Sequence, residues 1–81
     1  MTREDVAHIV TGAWKELLGR ADITGTSDFF KLGGDSLLIT RMVRHLNQAF
    51  DKRLPVRELL ASRTLGGHIE LIHALLQEES R

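Results

Sequence analysis

The chain has no cysteine, a single proline and a single tryptophan among its 81 residues, and no excess of charge of either sign. Without cysteine there is no disulfide scaffold, no thiolate metal site and no thiol chemistry encoded by the chain itself. One proline and no long polar run argue for a compact fold over a linker or disordered tail. Eleven basic residues balance eleven acidic ones, which counts against a dedicated nucleic-acid binder, since phosphate contacts normally require a basic excess. No stretch approaches the ~20 continuous apolar residues of a membrane span. Met1-Thr2-Arg3-Glu4-Asp5 has no apolar run of the signal-peptide kind, so the expected location is the cytoplasm. The length bounds the chain to one domain, 1–81, with a modest core to which most apolar positions must be committed.

What is present is mainly helical periodicity. Thr2 is placed to cap a helix, with Asp5 three residues on as in a capping box. Val6, Ile9, Val10, Ala13, Trp14, Leu17 and Leu18 then follow the i, i+3, i+4, i+7 rule, predicting a helix over 3–18 that stops at Gly19. Trp14 reads as a core anchor. Residues 19–35 make a connection longer than the ~12–15 residues a structureless loop usually has. Ile23, Phe29, Phe30 and Leu32 are available to pin it, and Asp22, Thr24, Ser27 and Asp28 supply turn chemistry.

A second helix is predicted over 36–50. At about 100° per residue, Leu38, Ile39, Met42, Val43, Leu46, Ala49 and Phe50 share the core face. Leu37, Arg41, Arg44 and Gln48 fall opposite, so Leu37 is expected to be exposed beside two arginines and reads as part of a docking surface. Pro55 suits the first turn of a short helix over 55–61, with Val56, Leu59 and Leu60 as its apolar face. Thr64 caps a last helix whose stripe is Leu65, His68, Ile69, Ile72, Leu75 and Leu76. There, Gly66 and Gly67 weaken the first turn and offer close helix approach. Residues 78–81 are expected to fray. The expected fold is all-α: a small four-helix bundle of three longer helices and one short one, with a long first loop.

The stretch that organises the chain is Asp28-Phe29-Phe30-Lys31-Leu32-Gly33-Gly34-Asp35-Ser36-Leu37. Two aromatics lead into a glycine pair, which leaves room for a partner to approach the backbone. Asp35 is then an N-cap that places Ser36 in the first helical turn. A hydrolase role for Ser36 fails on several counts. Gly34-Asp35-Ser36-Leu37-Leu38 lacks the second glycine of a nucleophile elbow and the strand before it. His45, nine residues along the same helix, is about 13 Å away along the axis, too far to act as its base. The P-loop spacing and lysine are absent. Asp22, Asp28 and Asp35 do not have EF-hand spacing, and His8, His45, His68 and His73 read as ordinary helix positions rather than metal ligands. A serine at a helix N-terminus with no machinery of its own suits an attached phosphoryl group, because backbone N–H groups and the helix dipole favour negative charge there. The plain alternative is that Asp35-Ser36 is only a cap.

That stretch resembles the phosphopantetheine attachment motif of carrier proteins, most of all the peptidyl carrier, or thiolation, domains of nonribosomal peptide synthetases. Trp14-Lys15-Glu16-Leu17-Leu18-Gly19, Leu54-Pro55-Val56 and Thr64-Leu65 extend the resemblance over nearly the whole chain. It implies an acyl-carrier-like bundle in which Ser36, flanked by Gly34 and Asp35, receives 4′-phosphopantetheine from coenzyme A through a separate magnesium-dependent phosphopantetheinyl transferase. The arm would hold an aminoacyl, peptidyl or aryl group as a thioester. The domain would do no chemistry itself and would visit adenylation, condensation, tailoring or thioesterase enzymes as a monomer. Fatty-acid-type carriers typically carry acids along the second helix. Residues 36–50 have Arg41 and Arg44 and no acid, which favours the peptidyl type over a polyketide-type or other acyl carrier, and shifts docking from salt bridges toward Leu37 and shape. A small helical interaction or DNA-binding module, with Ser36 as a cap, is the alternative from another class. The short ends lead us to expect a free-standing carrier.

Overall fold

The computed structural model describes residues 1–79. They form four helices, α1 (Arg3–Leu18), α2 (Ser36–Phe50), α3 (Val56–Ala61) and α4 (Leu65–Glu79), and no strand. Helix α1 begins with the full capping box, in which Thr2 Oγ1 accepts from the Asp5 N–H and Asp5 accepts from the Thr2 N–H. It ends on Gly19 in the left-handed conformation, at φ 64°. The α4 cap also forms, the Gly67 N–H donating to Thr64 Oγ1 at 3.0 Å.

Helix α1 packs on α4 and α2, and α3 leans on α2. The core joins Val6, Val10 and Trp14 of α1 to Ile39, Met42 and Leu46 of α2, Leu59 of α3 and Ile72 of α4, all fully buried. Three apolar residues differ from the sequence reading. Ala49 is exposed, because it stands about 70° off the centre of the buried face and its methyl is too short to reach back. Val56 and Leu60 are 42% and 36% exposed. A helix of six residues brings only Leu59 inward. Pro55 lies just outside that helix, extended at the N-cap, with no side-chain hydrogen bond to offer. Glu78 and Glu79 are the last residues of α4, while Ser80 and Arg81 lie outside the described residues.

Two features tie the bundle together in ways the periodicity does not show. His68 of α4, on the stripe read from sequence but given no role there, is fully buried. The Trp14 Nε1–H donates to its Nδ1 at 3.1 Å, and its Nε2 lies 2.7 Å from the Leu59 carbonyl. An indole N–H can only donate, so Nδ1 is the acceptor and Nε2 carries the proton. One imidazole thereby joins α1, α3 and α4.

The long first loop, in turn, is zipped to the α3–α4 connector. Phe29 N–H donates to Arg63 O at 2.9 Å, Leu65 N–H to Ser27 O at 3.1 Å and Gly66 N–H to Gly25 O at 2.8 Å, around one bridge between Asp28 and Thr64. The glycines of α4 serve this connection, not helix approach. A Cβ on Gly66 would stand 3.0 Å from Gly25 O, and one on Gly67 would stand 2.3 Å from Ser62 Oγ.

Candidate functional site

The loop reaches Ser36 through a sequence of fixed contacts. Asp28 accepts from the Phe30 and Lys31 N–H groups and from Arg63 Nε. The Arg63 hydrogen bond, with the backbone donors behind it, holds the Asp28 carboxyl below the usual carboxylate range. The Arg63 guanidinium also lies over the Phe30 ring, 4.8 Å from its centroid. Phe29 is fully buried, edge-on to Trp14 at 5.1 Å. The Gly34 N–H then returns to Phe29 O at 2.9 Å.

The glycine pair divides its work. Gly33 has φ 103°, a conformation side chains rarely adopt. At Gly34 an added Cβ would stand 2.2 Å from two Phe29 ring carbons. The space freed by Gly34 is therefore taken by Phe29, inside the molecule, and not kept open for a partner.

Asp35 is extended and caps α2, its Oδ1 accepting from Leu38 N–H at 2.9 Å and its carbonyl from Ile39 N–H at 3.0 Å. Ser36 follows as the first helical residue and is exposed. The Thr40 hydroxyl donates to the Ser36 carbonyl at 2.9 Å. Among the described residues, no acceptor meets the N–H groups of Ser36 and Leu37. Leu37 is 62% exposed, and Arg41 and Arg44 are exposed along the same face of α2.

His45 is about 13 Å along the helix from Ser36, and both nitrogens of His68 are engaged in the core, so neither serves Ser36 as a base. Among the described residues no group of three or more His, Asp or Glu is gathered to hold a metal, and no helix is long and apolar enough to cross a membrane.

Comparison with known proteins gives this junction a context. The profile of the phosphopantetheine attachment site family matches residues 8–72. The chain belongs to that family. It is a carrier domain with the all-α bundle of an acyl carrier, of a kind that carries covalently attached 4′-phosphopantetheine and is in general non-catalytic.

The carrier domain is 41% identical to phosphinothricin tripeptide synthetase PhsC of Streptomyces viridochromogenes, over 94% of the chain and 7% of that protein. It is 35% identical to the nonribosomal peptide synthetase verP of Clonostachys rogersoniana, over 99% of the chain and 4% of that protein. It thus spans only a small part of the synthetases it matches. Among solved structures it superposes on BlmI, a type-II acyl carrier protein from Streptomyces verticillus involved in bleomycin biosynthesis. The TM-score is 0.84 at 31% identity, covering 91% of this chain and 89% of that one.

The residues at the head of α2 suit the cofactor chemically. An exposed hydroxyl stands at the positive end of a helix, beside two N–H groups that no acceptor meets among the described residues, where a phosphodiester is favoured. Arg63 and His68 are the supporting residues that sequence reasoning missed. Trp14 carried a signal for the second: a buried indole N–H needs an acceptor, and His68 is the one polar member of the α4 stripe.

Proposed function

We propose that Ser36 is the attachment residue and that the domain is a peptidyl-type carrier, presenting an aminoacyl, peptidyl or aryl cargo in nonribosomal peptide or related biosynthesis. The observation that carries the first part is the exposed Ser36 hydroxyl at the opening of α2, next to N–H groups that no acceptor meets among the described residues. In priming, Ser36 Oγ bonds to the β-phosphorus of coenzyme A and the pyrophosphate bond breaks. The 3′,5′-ADP leaves, and the hydroxyl proton passes to a base supplied by a phosphopantetheinyl transferase. The attached arm's terminal thiol holds the cargo as a thioester, which accounts for a carrier with no cysteine of its own. Asp35 fixes the helix start and Gly34 sets the loop against Phe29, so both hold Ser36 at the surface.

The peptidyl assignment rests on α2, which carries Arg41 and Arg44 and no acid. Adenylation, condensation, tailoring and thioesterase enzymes are the partners we assign, with Leu37, Arg41 and Arg44 at the contact. The domain acts as a monomer in the cytoplasm, 1–81 being one unit. The test is intact-protein mass spectrometry after incubation with coenzyme A and a broad-specificity transferase. We expect one phosphopantetheine on the wild type and none on Ser36→Ala. An unmodified wild type, or modification that persists in Ser36→Ala, refutes the assignment.

A further inference from the structure

The balanced charge of the chain conceals an uneven distribution. From Ser36 to Arg57 the cations are Arg41, Arg44, Lys52, Arg53 and Arg57, against Asp51 alone. The rest of the chain has six cations and ten acids. The five cations are exposed. Arg3 pairs with Glu70, Arg20 with Asp22 and Arg63 with Asp28, each of these cations lying outside this segment. Arg41, Arg44, Arg53 and Arg57 have no acidic partner among the described residues.

This distribution does nothing for the fold. Like charges one helical turn apart are mildly destabilising, and Arg41 and Arg44 stand three apart. A helix gains from acids in its first turn and bases in its last, and α2 has neither. Arg41 and Arg44 also share a face with Leu37, which leaves 62% of its surface in water. Along the axis Arg41 and Arg44 are about 7.5 Å and 12 Å from Ser36. An enzyme whose catalytic groups reach the Ser36 hydroxyl therefore comes within about two helical turns of these guanidinium groups.

We propose that α2 and the turn that follows it form a cationic docking face for an enzyme whose own contact surface is acidic, with Leu37 as the apolar contact beside it. The proposal rests on the reading of Ser36 as the attachment residue. It adds the sign of the partner's charge and returns salt bridges to docking. An acidic protein surface is favoured over an anionic polymer or lipid because the face is mixed, with an exposed leucine at its head and, in the chain as a whole, no cationic excess. Complementary charge of this kind acts mostly on association and is screened by salt.

The test uses carriers first primed to completion on Ser36, verified by mass, and then loaded by an amino-acid-adenylating enzyme that charges the wild-type carrier. Loading kcat/KM is measured at about 50 mM and about 500 mM salt for the wild type, Arg41→Gln/Arg44→Gln and Arg41→Glu/Arg44→Glu. Circular dichroism confirms that each variant is folded. We expect charge reversal to lower kcat/KM about tenfold at low salt, neutralisation to lower it less, and the differences to close to about twofold at high salt. No loss on reversal, or a loss equally large at high salt, overturns the proposal. Loading that ignores salt, together with tight binding to duplex DNA or to phosphatidylserine vesicles, assigns the face to those ligands and also overturns it. A wild type that cannot be primed points instead to failure of the Ser36 assignment, a different result from a primed carrier whose loading is indifferent to charge.

Discussion

Replacing His68 with leucine removes two hydrogen bonds from the centre of the bundle while keeping the volume nearly constant. The Trp14 indole N–H and the Leu59 carbonyl, both satisfied by the imidazole, lose their partner in a site with no exposure. Each orphaned group costs about 1–3 kcal/mol. The leucine recovers about 1.5–3 kcal/mol through its own burial. The pair of orphaned groups, about 2–6 kcal/mol together, outweighs that recovery at mid-range, and the net expectation is a loss centred on about 2 kcal/mol, out of a total of about 4–12 kcal/mol for a chain of this size. Urea denaturation followed by far-ultraviolet circular dichroism reads such a change directly.

A double-mutant cycle with Trp14→Phe makes the test specific. Each single substitution leaves a buried polar group without its partner in the Trp14–His68 bond, whereas the double variant removes both halves at once. The two losses should therefore be less than additive, by about 1–3 kcal/mol. A coupling near zero, or a His68→Leu protein as stable as the wild type, refutes the account of His68 as the joint between α1, α3 and α4.

The same joint gives a pH signature. Burial pushes the His68 pKa below its ordinary 6.5, opposed by hydrogen bonds to the Leu59 and Ser62 backbone. Protonation would also place a second N–H against that of Trp14. The unfolded chain then binds the proton more readily than the folded one. The stability contributed is fully present above the unfolded value of about 6.5 and falls as pH drops from there toward the lowered folded value. His68→Leu should lose that part of the acid dependence. An unchanged slope of stability between neutral pH and the acid side of that window would contradict the neutral, buried imidazole.

Three further expectations follow from the site and the core. Gly34→Ala drives a methyl into the Phe29 ring and its carbonyl, and should cost about 1–3 kcal/mol with a shift in Trp14 fluorescence; a neutral substitution would mean that Phe29 moves aside freely. Leu37→Asp should leave the melting temperature nearly unchanged while slowing priming or loading, since the side chain is 62% exposed; unfolding would contradict its outward position. Leu46→Ala, at a fully buried position, should cost about 2–5 kcal/mol in denaturant titration, and a loss well under 1 kcal/mol would contradict the core described here.

The helices were legible because their signals are local. The Thr2–Asp5 box, Gly19, Asp35 and Thr64 mark ends through chemistry within a few residues of each other, and the buried face of α2 follows from a period. Errors fell where period alone was asked to decide burial. Ala49 is on the right side of the wheel but too short, and Val56 and Leu60 belong to a helix too brief to bury both. The contacts from 25–29 to 63–66 could not be read, since they join segments about 35 residues apart through backbone groups that every residue possesses. Gly34 shows the same limit from the other side: the glycine signals that something comes close, and only the fold reveals that it is Phe29.

These contacts divide the surroundings of Ser36 into two halves with different physics. On its N-terminal side, Gly34 rests on Phe29, Phe29 meets Trp14 edge-on, and Trp14 bonds to His68. That half is an extension of the core, where packing is close and a single methyl is felt. On its C-terminal side, Leu37, Arg41 and Arg44 are exposed and contribute little to stability. Substitutions of Phe29 or Gly34 should therefore change the stability of the domain and the placement of the serine together, whereas substitutions of Leu37, Arg41 or Arg44 should change partner kinetics at nearly constant stability. A carrier visited by several enzymes needs this division. On the proposed attachment at Ser36, the serine has to be held in one position for every partner, while the surface beside it can vary in charge without disturbing the fold that holds it.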